Sequence, residues 1–152
     1  RFARECAMNV IIARLSNVYG QGDISNRFLP AFLRRIFSNK NTLRVFGNKY
    51  ATRDFVYIDD AVSGIINVGA YNKSEIFNIG GGHPFTMKQT VEKVLHACGR
   101  DDEDIQYDNA LGADAEYNAL DIDRAKRLIN YNPKISFDIG IARTVEWYKY
   151  NI

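Results

Sequence analysis

The run Asn9-Val10-Ile11-Ile12-Ala13-Arg14-Leu15 constrains the fold more than any other stretch of the chain. It is rich in β-branched residues and almost continuously apolar, the pattern expected of a strand covered on both faces in a parallel sheet. A parallel strand reaches its neighbour only through a crossover of a dozen or more residues, so helices must alternate with strands along the chain. The sequence meets that demand. Phe28, Leu29, Phe32, Leu33, Ile36 and Phe37 recur at helical spacing, with Pro30 tolerable in the opening turn and a stop near Ser38-Asn39. Leu43 to Phe46 and Asp54 to Ile58 read as short strands on either side of a Gly47-Asn48-Lys49-Tyr50 turn. Asp59 or Asp60 is placed to cap the next helix, which carries Ala61, Val62, Ile65, Ile66 and Val68.

Further along, Glu75-Ile76-Phe77-Asn78-Ile79 is a buried strand that runs into Gly80-Gly81-Gly82. Thr86-Met87-Lys88-Gln89 has the form of a capping box; the helix it opens carries Val91, Val94, Leu95 and Cys98 and stops at Gly99. The tail holds Ile105-Gln106-Tyr107, a short helix around Arg124 to Leu128, a break at Pro133, and a last helix carrying Ile139, Ala142, Val145 and Tyr148. Alternation of this kind makes an α/β fold. Long buried strands are too few for a complete doubly wound domain, and the first arrives almost at the amino terminus.

With 152 residues, 46% hydrophobic and 25% charged, the chain has enough material for one domain with its own core. No stretch approaches the ~20 consecutive apolar residues that span a bilayer, so no membrane is expected as a partner. A net charge of +2, with basic residues scattered, does not build the one-sided positive surface of a nucleic-acid binder, and Arg34-Arg35 reads as a solvated helix face. Cys6 and Cys98 lack a Cys-x-x-Cys or Cys-x-x-His partner, so no metal site is expected and a reducing compartment, the cytoplasm, is. The opening Arg1-Phe2-Ala3-Arg4-Glu5-Cys6-Ala7 reads as the middle of a helix cut open.

Three motifs stand in order: Asn17-Val18-Tyr19-Gly20, then Arg53-Asp54-Phe55-Val56-Tyr57-Ile58-Asp59-Asp60, then Asn78-Ile79-Gly80-Gly81-Gly82. Together with Thr144-Val145-Glu146-Trp147-Tyr148 near the end, they resemble the carboxyl-terminal half of the NAD-dependent epimerase/dehydratase family, the extended short-chain dehydrogenases that act on nucleotide sugars. The resemblance implies that residues 1–152 are the carboxyl-terminal part of a Rossmann-type doubly wound enzyme. That part comprises the last sheet strands plus the small substrate-binding α/β subdomain, with the amino-terminal NAD-binding part absent. NAD is then a cofactor of the intact enzyme, which the family makes a homodimer.

Neither chemical hallmark of such enzymes is in this chain. A dinucleotide cradle needs a Gly-rich turn spaced so that backbone amides meet the pyrophosphate; Gly80-Gly81-Gly82 has the wrong spacing and reads as a tight turn at a close backbone approach. The family base is a tyrosine with lysine four residues later, and none of the nine tyrosines has one. No catalytic residue is therefore expected here.

What the resemblance leaves is the grip on a nucleoside-diphosphate sugar. Asn17 follows a buried strand, at the carboxyl edge where ligands of open α/β sheets collect, and is expected on the phosphates. Arg53 offers a planar fork for two phosphate oxygens, against the plain alternative of a surface ion pair with Asp54. Arg27, Phe28, Arg44 and Phe46 are expected around the base, and Asp114 at a ribose hydroxyl. Leu111 stands where relatives carry a second phosphate-binding arginine. Asp60 is assigned to capping and Trp147-Tyr148-Lys149 to packing. The reaction stays open among a 4-epimerase of the UDP-glucose kind, a dTDP-glucose 4,6-dehydratase and a UDP-glucuronate decarboxylase. Non-catalytic binding and an oligomerising fragment are the alternatives for this chain by itself.

Overall fold

The computed structural model describes residues 8–38, 43–108 and 116–152. In chain order its elements are β1 (Ile11–Leu15), β2 (Asn17–Tyr19), α1 (Phe28–Phe37), β3 (Leu43–Phe46), β4 (Thr52–Arg53), β5 (Phe55–Tyr57), α2 (Ile58–Gly69), β6 (Glu75–Ile79), β7 (Phe85–Thr86), α3 (Met87–Ala97), β8 (Ile105–Asp108), β9 (Tyr117–Asn118), α4 (Asp123–Ile129) and α5 (Phe137–Asn151). The fold is the expected mixture of short strands and crossover helices.

β1 pairs in parallel with β6 from Ile11 opposite Glu75 to Leu15 opposite Ile79. The chain then bends at Ser16 and continues as β2, parallel to β5. A third parallel pair joins β3 to β8, and the short β4 lies between antiparallel β7 and parallel β9. The pleat explains which residues face in. Along β3, Leu43 and Val45 are buried while Arg44 and Phe46 share the exposed face.

Two apolar clusters hold these pieces. The larger gathers the inner faces of α1, α3 and α5 with Tyr19, Val45 and Tyr57; the smaller packs Phe77 and Ile79 against Val68, Ala125 and Tyr131. Leu29, Phe32, Leu33 and Ile36 are the buried stripe of α1, at the spacing the sequence shows. Burying such a side chain contributes about 1.5–3 kcal/mol, so the stripe by itself outweighs any capping term. Thr86 and Gln89 do form the capping box, each side chain bonded to the other's backbone N–H.

Several expectations change. Within this chain one face of the first strand is uncovered: Ile12 is 44% exposed and pairs with Ile76, also exposed. On α2 the buried residues are Asp60, Ala61, Gly64 and Val68, while Val62, Ile65 and Ile66 face outward. Ile139 and Ala142 likewise lie off the buried face of α5, which is Phe137, Gly140, Ile141, Thr144, Val145 and Tyr148. Neither Asp59 nor Asp60 caps α2. The residue at the cap is Tyr57, and the buried Asp60 carboxylate instead accepts the backbone N–H groups of Lys134 and Ile135, tying the Pro133 break to α2. Arg34 and Arg35 are not a solvated face but straps. Arg34 donates to the Ile24 carbonyl and to Asn26, and Arg35 donates to the Arg44 carbonyl.

Candidate nucleotide-sugar site

The carboxyl ends of β1 and β6 are level, since Leu15 opposes Ile79 and the Ser16 N–H donates to the Ile79 carbonyl at 3.0 Å. Two turns therefore leave the sheet side by side: Ser16-Asn17 and Gly80-Gly81-Gly82. Between them sits Asp54, only 1% exposed, which rules out the plain alternative of a surface ion pair with Arg53. Its main chain and side chain both serve as connectors. The Asp54 carbonyl accepts the backbone N–H of Asn17 at 3.1 Å and the Asn17 side-chain amide at 2.8 Å, and its N–H donates to the Asn118 carbonyl at 3.0 Å. Its Oδ1 accepts the Gly81 N–H at 3.0 Å.

Gly80 is required for this arrangement, because a Cβ there would lie 2.1 Å from Asp54 Oδ2. Tyr131 closes the back of the turn by donating its hydroxyl hydrogen to the Gly80 carbonyl at 2.8 Å. Burial pushes the Asp54 carboxyl above the usual carboxylate range, opposed by the N–H groups of Gly81, Leu120 and Gly82 and by the nearby Ser16 hydroxyl. Asp54 Oδ2 and Ser16 Oγ are both buried without a hydrogen-bond partner of good geometry.

The backbones that carry the expected phosphate-binding pair are thus linked through Asp54, although Arg53 is not among the residues that line the cleft beside Asn17. Asn17 hangs from the carbonyl of the residue that follows Arg53, and Arg53 is held on β4 between Phe85 and Asn118, its guanidinium donating back to the Thr52 carbonyl. One hydrogen of the Asn17 amide is used on Asp54, which leaves its other N–H and its carbonyl oxygen for a ligand.

Asn17, Arg27, Phe28 and Phe55 line one narrow cleft of about 30 Å³. That is room for about one water molecule, whereas small-ligand pockets run to several hundred Å³. Arg27 at its rim is paired with Asp23 and bonded to Ser25, and Phe28 is stacked on Phe32. A cleft of this size admits no sugar nucleotide unless Phe28 moves.

Arg44 and Phe46 stand on the exposed face of β3, with Arg44 bonded to Gln106 and Phe46 45% exposed beneath the Arg35 guanidinium, 5.4 Å from the ring centre. α1 joins the two groups: Phe28 opens it at the cleft and Arg35 lies seven residues on, about 10 Å along the axis. Asp114 and Leu111 fall outside the described residues, as does Cys6. The sequence reading missed Asp54, Ser16 and Arg35 as parts of this corner. Its one available signal was a carboxylate set directly before the apolar Phe55-Val56-Tyr57, a place where an unpaired charge is not tolerated.

The Gly80-Gly81-Gly82 turn is closed around Asp54. The Gly81 N–H is spent on Asp54, and a buried carboxylate occupies the space beside Gly80 that a pyrophosphate would need. Among the described residues there is no cluster of His, Cys, Asp and Glu able to hold a metal ion, and no helix long and apolar enough to cross a membrane.

Comparison with known proteins gives the family and the fold. A family model described as the NAD dependent epimerase/dehydratase family matches residues 1–80. A UDP-glucuronate 4-epimerase of Thermodesulfobacterium geofontis is 34% identical over 95% of this chain and 45% of its own length. A dTDP-glucose 4,6-dehydratase of an Actinoplanes species is 32% identical over the same shares. Among solved structures, UDP-glucose 4-epimerase of Thermotoga maritima with UDP-glucose superposes with a TM-score of 0.89 at 28% identity, over 98% of this chain and 48% of that one. The dTDP-glucose 4,6-dehydratase of Streptomyces venezuelae, solved with NAD, superposes with a TM-score of 0.87 at 30% identity, over 99% and 47%. The chain spans about half the length of the relatives it matches. By its motifs, its parallel strand pairs with crossover helices and its match over more than half of its residues, the chain belongs to the NAD-dependent epimerase/dehydratase family.

Proposed function

We propose that residues 1–152 are the nucleotide-sugar-binding portion of an NAD-dependent epimerase or dehydratase of the UDP-glucose 4-epimerase kind. Its NAD-binding part, preceding these residues in the intact homodimeric protein, supplies the redox chemistry. The observation that carries this reading is the corner where the Asn17 amide is bonded to the Asp54 carbonyl, one peptide away from Arg53. That bond ties Asn17 to the strand that carries Arg53, at the carboxyl edge where ligands of such sheets collect.

In this reading Arg53 and Asn17 grip the diphosphate, and Arg27, Phe28, Arg44 and Phe46 surround the base, with Asp114 at the ribose. Fixing the nucleotide is remote binding energy: it restrains the sugar without touching the atoms that react, and so lowers the entropic part of the barrier. Without the family's Tyr-x-x-x-Lys pair, the chain by itself is inactive in this reading. A cytoplasmic location accords with the free thiol of Cys98.

Calorimetric titration of this chain with UDP-glucose, and separately with dTDP-glucose, tests the reading. Saturable heat that is lost in Arg53→Ala supports it and ranks the two bases. Equal titrations of wild type and Arg53→Ala count against it, and turnover of UDP-glucose by the chain with added NAD would overturn the claim of inactivity.

A further inference from the structure

Asp54 is the group in this corner with the least comfortable surroundings. A carboxylate that is 1% exposed, with one oxygen and its neighbour Ser16 Oγ both without a well-aligned hydrogen bond among the described residues, is unfavourable relative to an apolar side chain of similar size. The fold nevertheless keeps it, and gives up a side chain at Gly80 to make room for it. Its contacts indicate what it is for. The side chain holds the Gly81 N–H, from a turn 27 residues away; the carbonyl of the same residue holds Asn17 twice; and the preceding residue is Arg53.

We propose that Asp54 is a positioning residue for the diphosphate grip: its side chain locks the Gly80-Gly81 turn to its own peptide, and that locked peptide sets where Asn17 and Arg53 point. Asp54 does not touch the ligand in this scheme. Without the carboxyl oxygen, the Gly81 N–H loses its acceptor, and the Asp54 peptide keeps its backbone bonds to Asn118 and Asn17 but loses its tie to the Gly80-Gly81 turn. Asn17 and Arg53 move with that peptide, because one is bonded to its carbonyl and the other is its covalent neighbour. Displacements of about 1 Å in such groups are enough to cut binding and rate severely.

The proposal rests on the nucleotide-sugar reading, so its test has one arm that needs no ligand. Asp54→Ala removes the acceptor, whereas Asp54→Asn keeps an amide oxygen for the Gly81 N–H. In ¹⁵N-resolved spectra, the Asn17 side-chain amide and the Gly81 and Arg53 N–H signals are expected to move in Asp54→Ala and to stay near their wild-type positions in Asp54→Asn. By calorimetry, UDP-glucose affinity is expected to fall about tenfold or more in Asp54→Ala and to stay within about threefold in Asp54→Asn. Unchanged Asn17 and Arg53 signals in Asp54→Ala, or equal affinities in the two variants, would overturn the proposal. If wild type binds no UDP-glucose the grip reading falls, and the spectra still decide the coupling. If Asp54→Ala does not fold, hydrogen exchange in wild type decides: Gly81 and Asn17 N–H groups opening together support the lock, and independent opening refutes it.

Discussion

The side-chain amide of Asn17 donates to the backbone carbonyl of Asp54 at 2.8 Å, across 37 residues of sequence. The same carbonyl also takes the Asn17 backbone N–H, so the bend between β1 and β2 is fixed to the strand that carries Arg53. Asn17→Asp replaces the donor with an oxygen facing another oxygen. The expected loss is about 1–3 kcal/mol of stability, read as a lower urea midpoint with unchanged slope.

Gly80 separates packing from backbone strain. Gly80→Ala drives a Cβ into Asp54 Oδ2, and about 3 kcal/mol of destabilisation is expected, the upper end for overpacking. Gly22, at φ +79° with open space around it, is the control: Gly22→Ala carries only the left-handed penalty of about 1 kcal/mol. Thermal melts of the two variants check the order.

Asp60 is a second long-range anchor. Its two oxygens accept the Lys134 and Ile135 N–H groups at 2.9 and 2.8 Å. Asp60→Asn turns one acceptor into a donor that faces an N–H, so about 1–3 kcal/mol is lost. Hydrogen exchange should show early opening of the Lys134 and Ile135 amides, before those of α5.

These anchors mark the limit of what the sequence discloses. The α1 stripe and the Thr86–Gln89 box are local, closed within four residues or two turns, and are readable from spacing. The roles of Asp54 and Asp60 depend on N–H groups 27 and 75 residues away, which no window contains. Local spacing therefore offers nothing for Asp54 beyond the plain alternative of a surface ion pair, and reads Asp60 as a cap. Arg34 and Arg35 fail for the same reason, since their acceptors at Ile24, Asn26 and Arg44 become neighbours only after β3 and the loop before α1 have packed. On α2, hydrophobicity identified a helix but not its inward side, because Val62, Ile65 and Ile66 are apolar yet exposed.

Cys98 gives a pH prediction. Burial pushes its thiol up to about 11 from an ordinary value near 9.0, with Lys149 and Arg100 opposing. Folding therefore retains the proton after the unfolded chain has lost it, and stability falls as pH rises from about 9 toward 11. At pH 9, alkylation of the Cys98 peptide followed by mass spectrometry should be slow in native protein and fast in urea. Equal rates would contradict this burial.

The central claim is that Asn17 and Arg53 converge on one diphosphate. Its most direct test is titration of ¹⁵N-labelled chain with UDP, monitoring the Asn17 side-chain amide and the Arg53 guanidinium N–H signals. The account predicts that both shift saturably with a single dissociation constant, and that Arg53→Ala abolishes the Asn17 shift. Shifts confined to other faces of the protein, with Asn17 and Arg53 silent at saturation, would contradict it.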